Sequence, residues 1–232
     1  MNRRPKLLLV HGWGFGPGFW RPLIRALGDW ETQRLDLGFF GPPRLELPQS
    51  GPWVAIGHST GFMWILNQLH QEPMKSHCVG LVSLMGFSRF VRGPDFPHGV
   101  DRRILNKMTA ELTHDSNQVL DRFMAMGGVD RPLSGLRAQG DEYALAQGLN
   151  WLATWDERPA LQGWNRPWLA LALQDDGIVN EKMTRDCFGN LAPRGAVGGL
   201  HWFPRGGHFL PLIIDPDPFA TLINTFLGHH WS

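Results

Sequence analysis

The chain is short of cysteine, of net charge and of long apolar runs, and each shortage removes a class of protein. Its two cysteines, Cys78 and Cys187, cannot build a disulfide framework. Neither lies in a CxxC or Cys/His spacing suited to a metal. No metal site is expected, and a reducing compartment, the cytoplasm, is. The 22 lysines and arginines nearly cancel the 21 aspartates and glutamates, leaving a formal charge of +1. No global field therefore draws nucleic acid or an acidic membrane. No apolar run approaches the ~18 residues of a membrane span; the longest are 78–87 and 168–173. The basic start, residues 1–6, is followed by only four apolar residues, Leu7 to Val10, too few for the core of a signal peptide. A soluble protein with no nucleic-acid or membrane partner is expected.

What is present is enough for a single packed domain: 232 residues, 43% apolar and 19% charged. The 28 glycines and 18 prolines imply many tight turns around that core. Short apolar runs at 6–10, 34–37, 53–56, 79–85, 168–173 and 197–203 read as strands, and amphipathic stretches at 19–27, 61–71, 181–191 and 218–227 read as helices. Their alternation predicts an α/β fold with a parallel sheet. The rhythm breaks between the fourth strand and the fifth, where 88–164 reads as helical, a lid inserted into a core of 1–87 and 165–232. In it Ile104, Leu105, Met108 and Leu112 keep helical spacing. Asp115 or Ser116 can cap a second helix carrying Val119, Leu120, Phe123 and Met126, with Gly127-Gly128 at its end. No internal repeat is found.

The chemistry concentrates at three predicted strand ends. Ile56-Gly57-His58-Ser59-Thr60-Gly61 follows a strand and opens a helix, the context of a nucleophile elbow, in which a serine sits on a strained turn with its hydroxyl exposed. A side chain at Gly57 or Gly61 would crowd the crossing. The bland alternative is that Ser59 only caps the helix. A serine needs a base and the base an orienting acid, and this architecture orders them serine, acid, histidine. Gln174-Asp175-Asp176-Gly177 follows the fifth strand, and Asp176, just before the glycine, is the expected acid, with Asp175 its rival. Arg205-Gly206-Gly207-His208 follows the last strand, and its glycines let His208 approach Ser59 as the base. His201, His229 and His230 lie in the strand and in the tail and fit worse. The loop His11-Gly12-Trp13-Gly14 after the first strand can offer the Trp13 amide, with that of Thr60, to a developing oxyanion. His11 is expected to hold that loop by hydrogen bonds. The glycines at 12, 14, 16 and 18 do not make the GxGxxG of a dinucleotide site, so no cofactor is expected.

Together these residues resemble the α/β-hydrolase superfamily, from Leu7 to Leu227. Within it the chain is most similar to the methyl ester esterases that act on pimeloyl-acyl-carrier protein in biotin synthesis. The likeness rests on Leu8-Leu9-Val10-His11-Gly12-Trp13-Gly14 with Phe19-Trp20, on Asp121-Arg122-Phe123-Met124-Ala125-Met126, on the stretch from Gly148-Leu149 to Arg158, and on Asp176-Gly177-Ile178-Val179. The resemblance implies a serine carboxylesterase working through an acyl-enzyme, with Ser59, Asp176 and His208 catalytic and Trp13 and Thr60 in the oxyanion hole. The rival is a general hydrolase of another small ester, amide or C–C bond. Two departures stand out: the chain begins almost at the strand before the oxyanion loop, so a sheet of about six strands, without the first strands of a full hydrolase sheet, is expected, and Phe62 follows Gly61 where many relatives carry a small residue. Such esterases meet their acidic carrier with basic lid residues. Here Arg89, Arg92, Arg102, Arg103 and Lys107 face only Asp95 and Asp101, and Arg103 with Lys107 share a helix face, which makes that pair the expected carrier contact.

Overall fold

The computed structural model describes residues 4–71, 74–129, 139–193 and 197–231. Six strands form one sheet in the order β2-β1-β3-β4-β5-β6: β1 (Lys6–Val10), β2 (Thr32–Leu35), β3 (Trp53–His58), β4 (Cys78–Leu84), β5 (Trp168–Leu173) and β6 (Gly199–Phe203). Every pairing is parallel. Strands buried on both faces read as unbroken apolar runs, which is why β1 and β5 are so plain in the sequence.

Side chains alternate between the two faces. Leu7, Leu9, Val54, Ile56, Val82, Leu84, Leu169 and Leu171 pack in one apolar cluster together with Leu23 and Leu27 of α1 (Arg21–Leu27) and Phe219, Ile223 and Phe226 of a long C-terminal helix. Leu8, Val10, Ala55, Leu81 and Ala170 pack in another with α2 (Thr60–Gln68) and Met74 of the short α3 (Met74–His77). Between β4 and β5 the chain forms α4 (Arg102–Met126), α5 (Glu142–Thr154) and α6 (Arg158–Gln162), whose buried residues extend this second cluster beyond the sheet. After β5 come α7 (Glu181–Phe188), α8 (Leu210–Ile213) and the C-terminal helix α9 (Asp217–Trp231).

The expected second strand, 34–37, lies two residues earlier, because Gly28 (φ +77) turns the chain back so that Thr32 is already in register with Leu7. Helix α4 runs through both expected insert helices, but Asp115 breaks its geometry at φ −156, ψ 89, and its Oδ1 accepts the Gln118 amide at 2.9 Å. Asp115 thus caps the second half, as a short polar side chain does where an amide has lost its helical partner. Phe62 is accommodated rather than exposed: it is fully buried against Phe188, and a Cβ at Gly86 would lie 2.6 Å from its own Cβ. A glycine beyond β4 leaves the room that the bulky residue after Gly61 takes.

The insert is clasped where it leaves and rejoins the core. Arg89 reaches Asp95 at 3.1 Å and Asp156 at 2.9 Å, Arg158 reaches both carboxylates at 2.7 and 2.6 Å, and both guanidiniums lie over Phe96. The Glu157 amide donates to the Ser88 carbonyl at 2.7 Å. Arg158 holds the Asp95 and Asp156 carboxyls below their usual range. A depressed carboxyl pKa contributes stability above the ordinary carboxylate value, and that contribution is lost as the pH falls through the folded value. Arg158→Met is therefore expected to lower Tm at neutral pH, and the gap from the parent protein to narrow as the pH falls from about 4, where carboxyls of the unfolded chain protonate, through the lowered values of the folded parent. Melting curves across pH check this.

Candidate active site

The carboxyl ends of β1, β3, β5 and β6 all point to one edge of the sheet, where ligands of open parallel sheets bind. Ser59 lies at the end of β3 with φ 53 and ψ −125, a conformation that costs a non-glycine residue of order 1–3 kcal/mol. The strain is held from several sides. The Ser59 amide donates to the Leu84 carbonyl at 3.0 Å, and its own carbonyl accepts from Phe62 at 3.0 Å. A Cβ at Gly57 would run into the backbone of Phe62, and one at Gly61 into the carbonyls of Val10 and His11. Ser59 is 3% exposed, and its side chain makes no capping bond to α2. The helix-cap reading of this serine therefore fails.

His208 is fully buried in the loop after β6, and its Nδ1 donates to Asp176 Oδ2 at 2.6 Å. Asp176 Oδ1 accepts the amides of Ile178 at 2.8 Å and Val179 at 2.9 Å, so both oxygens of this buried carboxylate are engaged. With Nδ1 carrying the proton, Nε2 of His208 is left as the basic nitrogen, and it has no hydrogen-bond partner among the described residues. Asp175 takes a different place: its two oxygens accept the amides of Gly206 and Gly207, each at 3.0 Å. One carboxylate thus grips the imidazole and its neighbour grips the loop that carries it. His201 sits within β6, while His229 and His230 lie at the end of α9.

The loop after β1 is held as a unit. His11 accepts the Leu37 amide at Nε2 (3.1 Å), and its Nδ1 lies 3.0 Å from the Gly12 carbonyl, the loop-fixing hydrogen bonds expected of it. The Trp13 indole donates to the Leu145 carbonyl of α5 at 2.8 Å and meets the Phe123 ring edge-on at 4.9 Å, tying the loop to the insert. Thr60 is the first residue of α2, so its N–H is one of those with no acceptor inside the helix. Burial raises both thiols, that of Cys78 to about 12, which leaves neither as a rival nucleophile.

The end of α4 rests directly on this edge. Gly127 accepts the His208 amide at 3.0 Å, a Cβ at Gly177 would lie 2.5 Å from the Met126 carbonyl, and one at Gly127 would enter the Phe209 ring. Sequence reasoning passed over this contact, since Gly127-Gly128 reads only as a helix end. Nearby, Phe90, Ile104, Leu105, Met108, Phe123 and Leu149 line an apolar cavity of about 290 Å³ that also touches Gly177 and Ile178, beside Asp176. Arg103 and Lys107 are exposed on α4. Lys107 lies 3.8 Å from Glu111, which Arg122 also pairs at 2.5 Å. Arg89, counted in the basic excess, is committed to the clasp.

No protein-family model matches the chain. A pimeloyl-(acyl-carrier protein) methyl ester esterase of Stenotrophomonas maltophilia is 33% identical, the match covering 98% of this chain and 94% of that protein. One of Xanthomonas campestris is 31% identical, covering 97% and 90%. Among solved structures, an esterase from Exiguobacterium antarcticum superposes with a TM-score of 0.81 at 14% identity, covering 98% of this chain and 93% of that one. The enol-lactonase of Burkholderia xenovorans superposes with a TM-score of 0.75 at 12% identity, covering 97% and 92%. The sheet with its connecting helices has the α/β-hydrolase fold. Within that class, the chain belongs to the family of the pimeloyl-(acyl-carrier protein) methyl ester esterases.

Because Gly127 has no room for a methyl group against Phe209, Gly127→Ala is expected to cost about 1–3 kcal/mol of stability, the usual range for overpacking a filled core. Denaturant unfolding measures it, and an unchanged midpoint would show that α4 does not dock as described.

Proposed function

We propose that this chain is a serine carboxylesterase that hydrolyses the methyl ester of pimeloyl-acyl-carrier protein, in the cytoplasm, as a step of biotin synthesis. The observation that carries the chemistry is the strained Ser59 at the sheet edge together with the Asp176–His208 pair at 2.6 Å. The full-length kinship with esterases of that name carries the substrate.

In this reading Ser59 Oγ attacks the ester carbonyl while His208 Nε2 takes its proton, and Asp176 stabilises the resulting imidazolium. The amides of Trp13 and Thr60 receive the oxyanion. Collapse expels methanol, protonated by His208, and leaves the acyl group on Ser59. Water, deprotonated by the same imidazole, then releases the free carboxylate and restores the hydroxyl. No metal or cofactor enters any of these steps. The apolar cavity under α4 is the place for the methylene chain. Ile104, Leu105 and Met108 face it while Arg103 and Lys107 stand exposed on the same turns, so the chain and an acidic carrier would meet α4 on different faces. Residues 88–164 serve in this reading as a lid on a core of 1–87 and 165–232.

A serine-directed phosphonate is expected to label the protein at Ser59, and Ser59→Ala or His208→Ala to lower turnover by roughly 10⁴-fold or more with the fold intact. Asp176→Asn is expected to be far more damaging than Asp175→Asn, since the amide favours the wrong imidazole tautomer. Equal mild losses would place the acid elsewhere. For the carrier, the double reversal of Arg103 and Lys107 to Glu is expected to raise KM for the carrier-linked ester, mostly through slower association, and to leave a small uncharged ester unaffected. The difference is expected to fade as salt shortens the Debye length from about 10 Å. Rescue of growth without biotin in a host lacking its own esterase tests the whole assignment. Hydrolysis of free short esters without that rescue would favour the general hydrolase.

A further inference from the structure

The groups that hold the His208 ring do not hold its backbone. Asp176 sets the rotation of the imidazole, but the ring hangs from a loop whose two preceding residues, Gly206 and Gly207, have φ of 148 and 63 and little stiffness of their own. Three contacts fix that loop. Asp175 accepts both glycine amides, and Gly127 accepts the His208 amide. The His208 carbonyl lies 3.1 Å from Nε2 of His58, the residue immediately before Ser59.

His58 is an odd residue to find there unless that bond is its purpose. It is completely buried. Its ring lies 4.6 Å from that of Phe19, 6.0 Å from those of Phe15 and Phe209 and 5.0 Å from that of His208, surroundings that a phenyl ring would suit as well. A carbonyl only accepts, so Nε2 carries the hydrogen. Nδ1 then holds a bare lone pair with no partner among the described residues. A Cβ at Gly12 would come within 2.7 Å of that nitrogen. An imidazole with one nitrogen paired and the other buried unmet costs more than an apolar ring would, which leaves the surviving bond to account for it. Burial and the neighbouring His208 also push its pKa well down, so it stays neutral and adds no charge beside the base.

We infer that His58 is a positioning residue: its Nε2–H donates to the His208 carbonyl and ties the backbone of the base to the strand end that presents Ser59. The serine and the histidine come from distant parts of the chain, and this bond is a direct link between their two loops. The inference rests on the proposed roles of Ser59 and His208.

Three variants separate the bond from the packing. His58→Phe and His58→Met fill the space without a donor, and His58→Gln retains an N–H near the place of Nε2. With p-nitrophenyl butyrate as the probe, Phe and Met are expected to lower kcat by roughly 10- to 100-fold, the cost of a misplacement on the order of 1 Å, with KM within about twofold of the parent value, as for an interaction used in the transition state and not in binding. The Gln variant is expected to recover most of kcat. Melting temperatures are read alongside. Parental kcat in Phe and Met would overturn the inference, as would equal loss in all three. Failure of both donorless variants to fold, with Gln folded, would make the bond a requirement of folding and overturn a positioning role. Retained turnover in Ser59→Ala would instead strike the proposed function on which the inference rests.

Discussion

The crossing of α2 over the ends of β1 and β3 is the constraint on which the rest of the site depends. It works only because Gly57 and Gly61 present no side chain to Phe62 and to the carbonyls of Val10 and His11. The helix can then start immediately after Ser59, which forces the serine into a conformation that an isolated chain would leave at once. The amide of Ser59 donates to Leu84, in β4, and its carbonyl accepts from Phe62 in α2, so the strain is borne by the sheet and the helix together. The same crossing presses the start of α2 against the β1 loop, leaving Thr60 as an open helix amide one residue beyond Ser59.

Around that point the other loops are located by polar groups with distinct tasks. The adjacent aspartates show the division best. Asp176 turns one oxygen to His208 and the other to two amides of its own loop, while Asp175 spans to the glycines on the far side. Two like charges side by side are tolerable because each is surrounded by N–H groups of its own. The loop of His11 is held differently: the imidazole bonds Leu37 and Gly12 and lies 3.5 Å from Asp36, and an indole anchors the loop to α5.

The parts of this that could be read from the sequence are those governed by local pattern. β1 and β5 stand out because a strand buried on both faces is apolar throughout. The turn at Ser59 stands out because glycines flank it at the spacing that sterics demand. Asp115 was legible as a cap, although not that the helix would continue through it. What escaped was set by distant partners. Nothing near Gly127 says that its carbonyl will meet His208, and nothing near Arg89 says that Asp156 will neutralise it. His58 was passed over because a histidine beside a serine reads as sequence filler until its ring is seen buried among Phe15, Phe19, Phe209 and His208. The allowance that Gly86 makes for Phe62 is of the same kind, a fit between a residue of α2 and one in the loop beyond β4.

The clasp at the base of the insert has an implication for how this architecture changes over time. Because Arg89 and Asp156 bring the outgoing and returning chain together, whatever lies between them closes a loop whose entropic cost grows only with the logarithm of its length. Helices could be lengthened, shortened or replaced there with little penalty to the sheet. The tip is another matter, since the carbonyls of Met126 and Gly127 are seated against the acid and base loops. The insert is thus free to vary where it is stitched to the core and constrained where it is seated on the site, at the end of α4 and at Leu145 and Gly148 of α5 against Trp13, so that new cavities can be evolved in the first half of α4 without redrawing the site beneath.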